Sequence, residues 1–284
     1  IGEFRDDRVE VFGCCAGDRR TEVHDVPRDF HRRWHDRDDG STRSAHISRS
    51  QHAVVGEQCL RRALERMAGM GFEQAATLPI GLNTLHNALV TAGRMKAGEA
   101  VMVQGASSGV GIIGLQIAKL MGAKLVVGTS TNETRRARLK EFGADLAVDT
   151  RDPKWPQQVL DATGGKGVNL TVDMLSGPTV SQTMEATALL GRIVNIGRLA
   201  GMKAEFDFDL HARKRIDYIG VTFRTRTVEE VRDILVKMRS DLWDDVKAGR
   251  IRVPIDKTYP LAEARAGHEH MRANQHFGKI LLIP

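Results

Sequence analysis

A glycine-rich segment, Gly105-Ala-Ser-Ser-Gly-Val-Gly111, places the strongest constraint on what this chain can fold into. The apolar run 100–104 before it predicts a buried strand, and apolar residues at helical spacing after it predict a helix over 110–120. At such a junction, backbone N–H groups and the helix dipole attract an anion. We expect Gly105 and Gly109 to let the backbone turn and approach a pyrophosphate, and Gly111 to let the helix pack closely against the strands. The glycine order, G-x-x-x-G-x-G, differs from the simple dinucleotide fingerprint G-x-G-x-x-G.

The same strand-then-helix pattern repeats along the chain. The predicted strands are 100–104, 125–129, 145–148, 169–172, 192–196 and 217–221, with helices at 110–120, 133–142, 156–162, 179–190 and 228–247. Thr227 and Glu230 predict a capping box for the last of these helices. A strand at 255–259, a helix at 261–272 and a strand at 278–283 follow. This alternation predicts an α/β fold with a doubly wound parallel sheet, in which the glycine-rich turn binds a dinucleotide.

The end of the second predicted strand bears on which dinucleotide binds. A carboxylate there would accept the ribose 2′-OH of NAD, but residues 128–132 contain no acid. Arg135 and Arg136 follow within one helical turn, so hydroxyls and a guanidinium could hold a 2′-phosphate. NADPH is therefore the expected cofactor. The open alternative is that Arg135 is only a solvated helix residue and that NAD binds instead.

The first 65 residues differ in composition from the rest. They contain 12 Arg, no Lys and 13 Asp plus Glu, which gives them a net charge of 12 − 13 = −1, whereas the whole chain has a net charge of +6. We expect residues 18–65 to be poorly ordered or loosely packed. An RNA-binding Arg/His tract is one alternative, but interleaved acids cancel its field and make nucleic acid an unfavoured partner. A second alternative is an out-of-frame or unrelated stretch that replaced an original segment.

Other compositional features narrow the class of protein. The sequence contains no run of 18 apolar residues, so no membrane span is predicted. It also shows no apolar leader segment, so secretion is not predicted. The three cysteines, Cys14, Cys15 and Cys59, match neither a disulfide framework nor a zinc spacing, so we expect a cytoplasmic protein with no metal.

Residues 72–284 resemble the quinone oxidoreductase (zeta-crystallin-like) branch of the medium-chain dehydrogenase/reductase superfamily. The segments that carry the resemblance are 72–79, 105–111, 141–145, 191–197, 220–226 and 278–284. The resemblance implies a Rossmann domain inserted late in a GroES-like catalytic domain. It also implies NADPH, hydride transfer to a quinone or activated alkene, no metal, and a homodimer.

The resemblance assigns residues to parts of the cofactor site. Thr84, Ile196, Gly197 and Phe223 would surround the nicotinamide, and Asn274 would approach the cofactor from the tail. The phosphate-binding residues would be Gly105, Ser107, Ser108, Gly109, Val110 and Gly111 for the pyrophosphate, and Thr129, Ser130 and Arg135 for the 2′-phosphate. No catalytic residue is assigned. Asp149 and Thr150 stand where many family members carry a tyrosine that helps bind the 2′-phosphate, which weakens the NADP prediction.

The resemblance also divides the chain into domains. Residues 1–78 would be an incomplete GroES-like β domain, 79–250 the NADP-binding Rossmann domain, and 251–284 a return to the catalytic domain. Residues 5–17 are similar to the family's "GDRV…G" strand, but 18–65 do not resemble what should follow it. Much of the substrate pocket wall would then be missing, so activity could be low or lost.

Three rival families fit the sequence less well. Short-chain dehydrogenases need a Tyr-x-x-x-Lys pair, which neither Tyr218 nor Tyr259 supplies. The cysteines provide no zinc alcohol dehydrogenase ligand set, and residues 163–167 lack P-loop spacing. Two functions remain: an NADPH-dependent reductase of quinones, enones or enoyl thioesters, or an inactive NADPH-binding protein with possible RNA affinity.

Overall fold

In a computed structural model of the protein, residues 70–284 are the described part of the chain. The chain divides into two units, Ile1–Ala76 and Thr77–Pro284, of which the first is described only from residue 70. The predictions made for residues 5–17 and 18–65, and for the three cysteines, lie outside the described residues.

The described elements follow one another along the chain as alternating helices and strands. The helices are α1 (Phe72–Thr77), α2 (Pro79–His86), α3 (Gly109–Leu120), α4 (Glu133–Ala137), α5 (Trp155–Ala162), α6 (Val180–Ala186), α7 (Phe208–Lys214), α8 (Val228–Lys247) and α9 (Ala264–Arg272). The strands are β1 (Ala100–Val103), β2 (Leu125–Thr129), β3 (Leu146–Val148), β4 (Val168–Asp173), β5 (Thr187–Asn195), β6 (Asp217–Gly220), β7 (Ile255–Pro260) and β8 (Lys279–Ile283). A π-helical segment, Asn87–Ala92, continues α2, and a 3-10 segment, Arg138–Phe142, continues α4.

Six of these strands form one parallel sheet in the order β3-β2-β1-β4-β5-β6. This confirms the predicted α/β fold with a doubly wound parallel sheet. The strand order reverses between β1 and β4, and in open sheets of this kind ligands bind at the carboxyl ends of the strands beside that switch. The topology therefore fixes where a site is expected.

Apolar residues cover both faces of the sheet. On one face, Met102, Val127 and Val148 pack with Trp155 and Val159 of α5, and all five side chains are buried. On the other face, α2 and α3 approach closely because both carry glycine at the contact. A Cβ on Gly114 would lie 2.7 Å from Leu85 Cδ1, and one on Gly81 would lie 2.2 Å from Ile113 Cδ1.

The predicted helix 179–190 is wrong in its second half. Helix α6 ends at Ala186, and β5 begins at Thr187, which pairs with Val168 of β4. The Thr187 hydroxyl donates to the carbonyl of Thr183 at 2.7 Å and so caps the end of the helix. Pairing with the sheet thus outweighs the helical periodicity of residues 187–190.

The sequence pattern missed α7, which is short and largely exposed. Its start has a recognisable signal, because the Asp207 side chain accepts a hydrogen bond from the backbone N–H of Leu210 at 2.8 Å. The capping box predicted for α8 is confirmed, with Thr227 and Glu230 each bonding the other's backbone.

The C-terminal segment forms a separate two-stranded parallel sheet of β7 and β8. Just before β8, Gly278 makes an isolated bridge to Ser108. The tail thus returns to the start of α3. Among residues 70–284 no helix is both long and apolar enough to cross a membrane.

A hydrogen bond between a buried histidine and a partly exposed aspartate joins α2 to α8. The His86 side chain is fully buried, and its Nε2 lies 2.8 Å from Asp241 Oδ2. Burial lowers the pKa of His86 below its ordinary value of 6.5, although the hydrogen bond and charge of Asp241 oppose that shift. The folded protein therefore holds His86 neutral at pH values where the unfolded chain protonates it.

We expect His86 to make stability fall as the pH falls through 6.5. The unfolded chain binds a proton that the folded state does not bind. This lowers the free energy of unfolding by at most about 1.4 kcal/mol per pH unit. Urea unfolding between about pH 7.5 and pH 5.5 measures this slope, which His86→Gln should reduce. The exposed His268→Gln variant is the control, and an equal reduction in both variants would contradict the assignment.

Candidate functional site

A cavity of about 240 Å³ opens at the carboxyl ends of the strands, beside the switch between β1 and β4. Residues that follow β1, β2, β3, β4 and β5 line it together with two residues of the tail. The lining residues are Gly105, Ser107, Ser108, Thr129, Ser130, Thr131, Arg135, Thr150, Leu175, Leu199, Ala200, Asn274 and His276. The cavity thus lies where the topology predicts a ligand.

The glycine-rich turn forms one wall of the cavity and begins α3. Ser108 is the N-cap, and its Oγ accepts a hydrogen bond from the backbone N–H of Gly111 at 3.0 Å. A Cβ on Gly111 would lie 2.6 Å from both Ala106 Cα and the Gly105 carbonyl oxygen, so only glycine fits without backbone movement. The helix N-terminus is thereby held against the end of β1, where its positive end favours an anion.

The tail contacts this turn as well. A Cβ on Gly109 would lie 2.8 Å from the carbonyl oxygen of Gly278 and 2.9 Å from the Lys279 side chain. Gly109 is therefore needed for packing of the tail, a reason that the sequence did not reveal. Its predicted approach to a pyrophosphate stays a prediction.

Hydroxyl groups dominate the end of β2. Thr129 Oγ1 accepts the Gly105 backbone N–H at 3.0 Å, and Ser130 Oγ donates to Ser107 Oγ at 3.0 Å. These bonds tie the β2 end to the glycine-rich turn. Within residues 70–284, no carboxylate lines the cavity, so the end of β2, which binds the ribose of NAD in related folds, carries no acid.

Arg135 joins α4 to the tail at the rim of the cavity. Its Nη1 donates to Asn274 Oδ1 and to the His276 carbonyl oxygen, both at 3.1 Å. Its Nε is buried and has no hydrogen-bond partner among the described residues. A buried guanidinium donor without an acceptor is costly. Arg135 also lines the cavity, so its positive charge is available to an anionic ligand there.

Asp149 follows β3 but does not carry an exposed negative charge into the site. The hydrogen bond from Arg151 lowers the pKa of Asp149 to about 2, against the opposing effect of burial, and Arg136 adds to the shift. Arg136 Nη1 lies 3.0 Å from both Asp149 Oδ2 and the Ser130 carbonyl oxygen. Two arginines thus compensate the charge of Asp149, one of the two residues that stand where many relatives carry a tyrosine.

The structure brings together half of the predicted site residues. Those that line the cavity are Gly105, Ser107, Ser108, Thr129, Ser130, Arg135 and Asn274. Gly109, Val110 and Gly111 form the adjoining first turn of α3, whereas Thr84, Ile196, Gly197 and Phe223 do not line the cavity.

Six lining residues are not among the predicted site residues. They are Thr131, Thr150, Leu175, Leu199, Ala200 and His276. Five of these follow the carboxyl ends of predicted strands, a position that could have identified them. His276 had no comparable signal.

Within residues 70–284, no three His, Cys, Asp or Glu side chains are grouped so that they could hold a metal ion. The described residues therefore supply no ligand set for zinc. The cysteines considered in the sequence lie outside them.

Comparison with known proteins matches residues 109–238 to the zinc-binding dehydrogenase family. The human quinone oxidoreductase is 26% identical over 235 residues, which cover 82% of this chain and 68% of that protein. A hybrid PKS-NRPS synthetase of Aspergillus niger, pynA, is 29% identical over 77% of this chain, but the match spans only 6% of the synthetase. The native structure of mycobacterial Rv1454c complexed with NADPH is similar with a TM-score of 0.67 and 25% identity, and the match covers 76% of this chain and 66% of that one.

We expect Gly111→Ala to destabilise the protein because its methyl group would meet backbone atoms of the glycine-rich turn. The expected loss is about 1–3 kcal/mol in the free energy of unfolding, measured with urea. Gly220→Ala is the matched control, because a Cβ there meets nothing within 4 Å. Equal stability of the two variants would show that the turn does not depend on this contact.

Proposed function

We propose that this chain, which carries a zinc-binding dehydrogenase domain of the medium-chain dehydrogenase/reductase superfamily, is an NADPH-dependent oxidoreductase. It transfers a hydride to a quinone or a related activated alkene, such as an enone or enoyl thioester, without a metal ion. The likeness to the human quinone oxidoreductase and to the NADPH-complexed mycobacterial structure supports this proposal.

The observation that carries the proposal is the charge pattern at the end of β2. A 2′-phosphate is a dianion, and the cavity wall beside β2 offers Ser130, Thr131 and the guanidinium of Arg135. Charge-assisted hydrogen bonds of this kind contribute about 1.5–3 kcal/mol each. Because no carboxylate is among the described residues that line the cavity, the ribose 2′-OH of NADH would lack the acceptor that NAD-specific sites provide.

The chain's own residues bind and orient the cofactor rather than act as acid or base. The 105–111 turn would hold the pyrophosphate at the start of α3, and Ser130, Thr131 and Arg135 would hold the 2′-phosphate. When bound, the nicotinamide supplies the hydride. Hydride transfer needs chiefly orientation and exclusion of water, so the proposal assigns no catalytic residue.

We expect the chain to bind NADPH more tightly than NADH, by at least about tenfold, because of the contact between Arg135 and the 2′-phosphate. Arg135→Ala should weaken NADPH binding by about 10–100-fold and NADH binding much less. Isothermal titration calorimetry measures both affinities. Lys140→Ala is the control, because it removes one exposed positive charge from the same helical segment without altering the cavity. Tighter binding of NADH to the wild-type chain would refute the cofactor assignment.

We expect NADPH oxidation with 1,2- and 1,4-quinones, and test enones and an enoyl thioester in parallel. Loss of absorbance at about 340 nm under steady state reports transfer of hydride from the cofactor. Turnover by the wild-type chain, together with turnover by Arg135→Ala that needs a raised NADPH concentration, would support the proposal. NADPH binding without turnover on any of these acceptors would instead favour the alternative, an inactive NADPH-binding protein.

A further inference from the structure

His276 is a titratable residue of the cavity to which the proposed function assigns no role. It lies in the tail loop between α9 and β8 and lines the cavity together with Arg135 and Asn274. Its backbone carbonyl accepts the Arg135 guanidinium at 3.1 Å, which fixes the loop beside that cation. Its Nδ1 is buried and has no hydrogen-bond partner within the described part of the chain.

The carboxylate that acts on the His276 imidazole, Asp256, is already engaged by other groups. On α9, His270 lies 6.2 Å from the His276 ring, edge to face, and its own nitrogens contact Tyr259 Oη at 3.0 Å and Asp256 Oδ2 at 3.3 Å. On β7, Asp256 also accepts the backbone N–H of Phe277 at 3.0 Å. The nearby carboxylate is therefore already shared by two donors.

The remaining charged neighbours disfavour the protonated form of His276. Burial lowers the pKa of His276 first, and the charges of His270, Arg135 and Lys279 lower it further, while Asp256 opposes them. Lys279 comes from β8 and Arg135 from α4, so cations approach from two elements. A dianion placed among these groups would reverse the balance, because opposite charge stabilises the protonated ring.

We propose that His276 is a proton-accepting residue of the nucleotide pocket, and that it becomes protonated when the 2′-phosphate of NADPH binds beside Arg135. The inference rests on the proposed function, since it needs NADPH to occupy this cavity. It adds a specificity-determining residue to the site. Binding of NADPH then takes up a proton, whereas binding of NADH, which lacks the 2′-phosphate, does not.

The proposal makes the affinity for NADPH depend on pH in a defined direction. Each unit by which the bound state raises the pKa of His276 strengthens binding about tenfold at pH values below the free pKa. The affinity for NADPH should therefore rise as the pH falls from about 8 to about 6. Titration of the phosphate alone would change the affinity for NADPH in the opposite direction. A phosphate with a pKa near about 6 releases protons when it binds beside cations, so its binding would weaken as the pH falls.

The experiment is isothermal titration calorimetry of the full chain with NADPH and with NADH near pH 7, in two buffers of different ionisation enthalpy. The difference in measured heat gives the number of protons taken up. His276→Gln is the test variant, and it keeps the backbone carbonyl that holds Arg135. His268→Gln is the matched control, because His268 is exposed on α9 and does not line the cavity.

Net proton uptake with NADPH that is lost in His276→Gln, retained in His268→Gln and absent with NADH supports the proposal. If His276→Gln keeps the wild-type affinity for NADH, the variant is folded. If it does not, His276→Asn replaces it as the test variant. Equal uptake in wild type and His276→Gln, or equal uptake with NADH, would overturn the assignment while leaving NADPH binding intact. A chain that binds no NADPH would overturn the proposed function itself, and this inference with it.

Discussion

The approach of the 105–108 turn to the first turn of α3 is the contact on which the site depends. It exists because Gly111 has no side chain to separate Ala106 from the helix, and Ser108 closes it by capping the helix N-terminus. The helix dipole is thereby aimed at the edge where the parallel strands end. The same turn also receives the tail, through the bridge between Ser108 and Gly278. A single close contact therefore joins sheet, helix and tail around one cavity.

The electrostatics of that cavity arise from compensation rather than from a simple excess of charge. Asp149 would place a negative charge near the β2 end, but Arg151 and Arg136 bind it, and its pKa of about 2 keeps it ionised and paired. Arg135 is directed towards the tail and retains a buried donor with no acceptor. The guanidinium of Arg135 thus leaves an uncompensated positive charge at the cavity wall, which a phosphate would balance.

The sequence predicted the parts of this site that depend on local chemistry. Strand, turn and helix at 100–120 are confirmed, because residue type and periodicity determine them within a short window. The hydroxyls at the end of β2 line the cavity, while their predicted contact with a 2′-phosphate stays a prediction. The end of α6 could not be predicted, since Thr187 leaves the helix only because β4 lies beside it. His276 escaped notice for a similar reason. Its position in the cavity follows from the return of the tail, which is a contact between residues far apart in sequence.

The central claim is that the cavity at the strand ends binds the adenosine end of NADPH through its 2′-phosphate. A crystal structure of the full chain with NADP⁺ tests it most directly. The account predicts density for the nucleotide across the 105–111 turn, with the 2′-phosphate within hydrogen-bond distance of Arg135 and Ser130. A nucleotide bound elsewhere, or with its 2′-phosphate directed away from Arg135 into solvent, would contradict the account.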